Sequence, residues 1–137
     1  MLFEIGAILK LYVEDTTPPK VKLCLIVGSC SDKIAVVYIN SEVNPNFLPA
    51  DLQGLHCPIT KKDCDKLSYE SYADCSDIFE KDKSELNTLL QKEPGRKLCK
   101  LSNDRITMIL GVLQRARTIW DYFNKCVNLK IGDQINN

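Results

Sequence analysis

Three apolar, β-branched runs follow one another in the first third of the chain with little but turns between them. They are Ile5-Gly6-Ala7-Ile8-Leu9-Lys10-Leu11-Tyr12-Val13, Val21-Lys22-Leu23-Cys24-Leu25-Ile26-Val27-Gly28 and Lys33-Ile34-Ala35-Val36-Val37-Tyr38-Ile39-Asn40. Runs rich in Val and Ile and bounded by Pro, Gly, Ser and Asp favour extended backbone, because a branched Cβ packs well on a pleated surface. Connections this short leave no room for crossover helices, so the chain is expected to open as an antiparallel meander. With helices confined to the far end, the fold class is expected to be α+β.

The remainder changes character twice. Residues 40–49 hold turn formers and two prolines, Pro45 and Pro49, which remove backbone donors and give a loop. Leu55 to Ile59 is a short strand candidate that Pro58 consigns to a sheet edge. Leu67 to Cys75, with Tyr69 and Tyr72, is a further one. About five short strands is the number that closes a small barrel. From Asp82 the period becomes helical. Asp82 and Glu85 form a capping box, Leu86, Leu89 and Leu90 make one apolar stripe, and Pro94-Gly95 ends it. A second helix is expected from Ser102, an N-cap followed by Asp104, to about Cys126, on the recurrence of Ile106, Ile109, Leu110, Leu113, Ala116, Trp120 and Phe123. Arg105, Arg115 and Arg117 lie on its other side, where they could meet phosphate or simply face solvent. The expectation is one domain over residues 1–137, with strands to about 80, helices over about 82–127 and a frayed tail at 131–137.

Charge and cysteine usage narrow the classes of function. Eighteen basic and eighteen acidic side chains cancel, so no overall field draws the chain onto nucleic acid or an anionic membrane, and such contact needs a local patch. No stretch approaches the roughly 20 apolar residues that span a bilayer, so no membrane partner is expected. The N-terminus carries Glu4 before Lys10, the reverse of a secretory signal. A soluble cytoplasmic protein is therefore expected. Seven cysteines, an odd count without a secretion signal, predict reduced thiols. The alternative is zinc held by His56, Cys57, Cys64 and Cys75, but no two cysteines form the close pair usual in structural zinc sites. No metal or cofactor is expected.

On these residues the first half resembles the MazF/PemK family of toxin-antitoxin toxins, from Gly6 to about Ile78. Gly6-Ala7-Ile8-Leu9-Lys10-Leu11 is similar to the family's opening Gly-Asp-Ile-type strand, and Lys22 to Gly28 stands where the family has Arg-Pro-Val-Leu-Val-Ile. Val36-Val37-Tyr38-Ile39-Asn40-Ser41 resembles its strand ending in Ile-Thr-Ser. The resemblance implies a small SH3-like β-barrel with a C-terminal helix; with the helices read above, the expected fold is that barrel with two C-terminal helices, the last one longer than most members carry. The resemblance also implies a homodimer, an antitoxin protein as partner, and metal-independent endoribonuclease action on single-stranded RNA.

Carried over residue by residue, the resemblance puts Lys22 in the place of the family's phosphate-stabilising arginine, as a point charge without the bidentate fork. Ser41 takes the place of its threonine or serine. An arginine and aspartate pair that some members use as acid and base is replaced by Asp74 and Ser76. Scission by a 2′-hydroxyl needs a base, an acid and a charge stabiliser around one phosphodiester. His56, the residue suited to proton transfer near neutrality, and Glu42 are the candidates for the missing roles. His56 is otherwise a half-buried histidine bonded to backbone, and Glu42 a solvated loop carboxylate. Tyr38, Tyr69 and Tyr72 could stack on bases or merely pack in the sheet. The rival expectation is a non-catalytic protein-interaction module on the same barrel.

Overall fold

A computed structural model of the chain describes residues 3–14, 17–41, 54–115 and 129–131. The three opening runs form the centre of a sheet: β1 (Ala7–Val13), β2 (Lys20–Cys30) and β3 (Lys33–Asn40) pair antiparallel in sequence order. Five of seven residues of β1 and six of eight of β3 are buried, which explains why they read as largely apolar runs; only the far end of β1 alternates, at Lys10 and Tyr12.

The other strands are short. They are β4 (His56–Ile59), β5 (Ser71–Asp74), β6 (Phe79–Asp82), β7 (Lys97–Lys100) and β8 (Leu129–Ile131). The main path runs β4-β5-β3-β2-β1-β7, while β6 pairs with the first half of β3 and β8 with the end of β2. Every pairing is antiparallel.

The SH3-like barrel is not found. The described strands make an open sheet whose path ends at β4 on one side and β7 on the other. Closure would need β4 and β7 to bond, and among the described residues each has only one strand neighbour, β5 and β1 respectively. Strands and helices also interleave, since β7 follows the first helix and β8 the second. The expected strand over residues 67–75 contracts to β5, because 60–70 is a turn-rich excursion.

Helix α1 (Lys83–Lys92) begins as expected, with the Asp82 carboxylate accepting from the Glu85 N–H at 3.0 Å. Its Leu86 and Leu90 are buried, and it shares cavities with Leu9, Leu11 and Ile26, which strand alternation sets on one face of the sheet. Helix α2 is described over Asn103–Arg115. The Ser102 hydroxyl accepts from Arg105 N–H at 3.3 Å, and Ile106, Ile109, Leu110 and Leu113 are buried. The expected continuation through Ala116, Trp120, Phe123 and Cys126 lies outside the described residues, as do Arg117 and residues 132–137 of the expected frayed tail, whose first residue, Ile131, is instead paired with Gly28 in β8.

The expectation of reduced thiols fails at one pair. Cys64 and Cys99 form a disulfide, Sγ–Sγ 2.06 Å, joining the 60–70 excursion to β7. Sequence spacing could not reveal it, because 35 residues separate the partners. Cys24, Cys57 and Cys75 are buried thiols. The Cys57 and Cys75 sulfurs lie 3.9 Å apart in a hydrogen bond. That bond and the nearby Arg115 and Arg105 pull the Cys57 thiol below its ordinary range, while the same bond and burial push Cys75 up.

Candidate functional site

Strand register decides which polar groups meet. On β2, β3, β5 and β4 the residues Lys22, Asn40, Tyr72 and Pro58 stand abreast, and Cys24, Tyr38, Asp74 and His56 form the next row on the same face. Lys22 Nζ donates a short hydrogen bond to Asn40 Oδ1 and lies 5.7 Å from the centre of the Tyr38 ring. From the other end of that ring, Lys81 Nζ of β6 donates to the Tyr38 hydroxyl at 2.9 Å. Phe79 stacks on Tyr38 with ring centres 4.1 Å apart. Burial pushes the Lys22 ammonium below the ordinary lysine range and Lys20 adds to this, while Asp74 and Cys24 oppose it.

Asp74 is the hub of this row. Its Oδ1 accepts from the Ser76 N–H at 3.0 Å and from the Ser76 hydroxyl, and lies 3.6 Å from His56 Nε2. Asp74 and Ser76 thus form a local turn closed on itself. The His56 side chain is only 3% exposed, so a polymer substrate has no approach to its ring in this arrangement.

A separate feature lies where the ends of β1, β2 and β3 meet the 60–70 excursion. It is a groove of about 620 Å³ lined by Lys10, Lys20, Lys22 and Lys66 with Ser41, Ser68 and Ser71, over Leu23, Ile39, Leu67 and Leu98. Among the described residues no carboxylate lines it. Tyr69 on its rim is 64% exposed. Val21, another lining residue, is 50% exposed and pairs across the strands with Tyr12, 59% exposed.

The candidates named from sequence therefore divide. Lys22 and Ser41 both line the groove, although the Lys22 ammonium is held by Asn40. Lys22 and His56 both adjoin Asp74, one through electrostatic attraction and one at 3.6 Å. His56 does not line the groove. Glu42 lies outside the described residues. The zinc set is broken because Cys64 is bonded to Cys99, and among the described residues no three His, Cys, Asp or Glu are gathered to hold a metal ion. Sequence reasoning missed Lys10, Lys20 and Lys66, since they are scattered along the chain and converge only through the β1–β2 pairing and the excursion after β4.

Among the described residues no helix is long and apolar enough to cross a membrane. Comparison of the chain with models of known protein families gives no match, and comparison with curated proteins gives none either.

Proposed function

We propose that the lysine-lined groove binds the phosphate backbone of single-stranded RNA. The observation that carries this reading is the segregation of charge: a chain with no net charge concentrates four lysines around one groove that, among the described residues, is lined by no carboxylate. Lysines that neutralise phosphates release condensed counterions, which drives binding and makes it sensitive to salt. The apolar floor and the exposed Tyr69 ring suit unpaired bases, whose faces stack on aromatics without regard to sequence. The test is fluorescence anisotropy of a labelled single-stranded RNA oligonucleotide across a salt series, with parent protein and a Lys10→Glu/Lys66→Glu variant. Parent binding that falls with salt, and its loss in the variant, support the reading. Equal behaviour of the two proteins rejects it.

A narrower second reading is a divergent MazF/PemK-type toxin that cleaves the bound strand without a metal. Its support is that Lys22 and Ser41 line the groove together. In that reading an antitoxin with an acidic segment competes for the same lysines, and the chain acts as a homodimer. Long RNA incubated with the protein in chelator tests it, and intact transcripts at saturating protein reject cleavage while leaving binding. The cytoplasmic location belongs to the same reading. The Cys64–Cys99 bond weighs against a permanently reduced setting, since bridges persist mainly in oxidising compartments.

A further inference from the structure

We propose that the Cys64–Cys99 disulfide is a redox catch that holds the two walls of the lysine groove together, so that its reduction weakens the groove's grip on RNA. The proposal rests on the groove being the RNA site. One wall is the excursion between β4 and β5, which supplies Lys66, Leu67 and Tyr69, and the opposite wall comes from β1 and β2 with Leu98 of β7. Cys64 stands two residues before Lys66, and Cys99 directly follows Leu98. The bond therefore joins the two walls next to residues that line both.

Leu67 packs into the core beside them, but no polar contact among the described residues ties the walls. Among the described residues the polar contacts of the excursion run within itself or to α2. Thr60 N–H and hydroxyl both donate to Asp63, Cys64 N–H donates to Thr60 O at 3.1 Å, and Leu67 N–H to Cys64 O at 3.2 Å. Asp63 pairs with Arg105 of α2 at 3.3 Å. None of these reaches β7. On its side, β7 is a four-residue edge strand whose pairing to β1 shifts register between Ile8 and Leu9. Once the bond is cut, mutual repulsion of the lysines favours moving Lys66 away from Lys10, Lys20 and Lys22, and the potential that attracts phosphate falls.

The chemistry needs a reductant, and a dithiol of the thioredoxin class supplies both electrons. Its thiolate attacks one sulfur, Cys99 being the less buried of the pair. The Cys64 thiolate departs and takes a proton from water, leaving a mixed disulfide on Cys99. The second thiol of the reductant, as thiolate, attacks its own sulfur in that mixed bond and releases the Cys99 thiolate, which is protonated in turn. Two protein thiols and one oxidised dithiol result.

The experiment compares oxidised parent, parent reduced with dithiothreitol, and a Cys64→Ser/Cys99→Ser variant, using an oligouridylate as probe. Reduction is expected to weaken parent binding about fivefold or more and to lower the salt slope by about one, the share of one displaced lysine. The double variant should match the reduced parent and ignore dithiothreitol. Equal affinity of oxidised and reduced parent overturns the proposal, as does a dithiothreitol effect that persists in the double variant. Hydrogen exchange supplies a readout without RNA: reduction should raise exchange in 60–70 and 97–100 while β2 and β3 stay protected. Unchanged exchange there overturns the catch even if RNA binds. Failure of the oxidised parent to bind RNA rejects the groove reading itself, and the catch as its regulator with it.

Discussion

Ile106 of α2 fills the space above Gly6 that a side chain at position 6 would occupy. Gly6 also holds a positive φ of +96°, a conformation that L side chains rarely adopt. It is pinned on both sides, its N–H donating to Ile26 O at 2.8 Å and its carbonyl accepting from Leu101 N–H at 3.0 Å. The glycine that opens β1 is thus a docking point for the helix. Gly6→Ala is expected to cost about 2–4 kcal/mol, from backbone strain together with overpacking against Ile106. Urea unfolding checks this. Adding Ile106→Val should recover only part of the loss, because the smaller side chain relieves the clash and leaves the φ strain.

The disulfide carries a second expectation, separate from any ligand. Its partners are 35 residues apart, and a crosslink closing a loop of that length removes unfolded-state entropy worth about 3–4 kcal/mol. Cys64→Ser/Cys99→Ser should lower the denaturation midpoint accordingly while keeping the far-ultraviolet circular dichroism of the parent. An unchanged midpoint would mean that the bond does not constrain the unfolded chain in solution.

At the start of α1 the charges predict a pH dependence. The Glu85 backbone N–H, and then Lys33 at 3.0 Å, hold the Asp82 carboxyl below the usual carboxylate range. A group depressed on folding stabilises the native state above its unfolded pKa, here an ordinary 3.8, and that contribution is lost as pH falls through the lowered folded value. Lys33 is raised by the same pair, so its contribution is complete below 10.5 and disappears as pH rises through the folded value. Asp82→Asn should flatten the acid limb of a melting-temperature profile and leave neutral pH less affected, since an asparagine still caps the helix. An acid limb identical in both proteins would refute the assignment.

What the sequence made legible follows from how local each signal is. The three central strands, the Asp82 cap, the Ser102 cap and the stripe on α2 were readable because runs, caps and periods lie within a few residues. The open sheet was not. The short strands Phe79–Asp82, with three charged residues of four, and Lys97–Lys100, with two of four, carry no strand-like apolar run, and they pair with β3 and β1 because those strands present unsatisfied edges. The five-strand count that suggested a barrel omitted them. Of the site, Lys22 and Ser41 came from the resemblance. Lys10 reads as a single charge inside an apolar run, and Lys66 acquires its neighbours only when the excursion folds across to β7.

The groove makes its lysines unequal, and that inequality is testable. Lys22 donates to Asn40 and faces the Tyr38 ring, so its ammonium is already partnered. Lys10 and Lys66 have no ion pair among the described residues. Lys10→Met and Lys66→Met should each weaken oligouridylate binding and reduce the salt slope by about one, the mark of one lost phosphate contact. Lys22→Met should change the slope less than either. Tyr69→Ala should cost about 1–3 kcal/mol of affinity with the slope untouched, because stacking involves no counterions. His56→Ala should leave binding unchanged and lower the melting temperature, as expected of an enclosed ring beside Asp74. Anisotropy titrations at four salt concentrations separate these effects. If Lys22→Met proved the most damaging of the set, the strand would have to contact the Asn40 side of the sheet, and the groove assignment would be wrong.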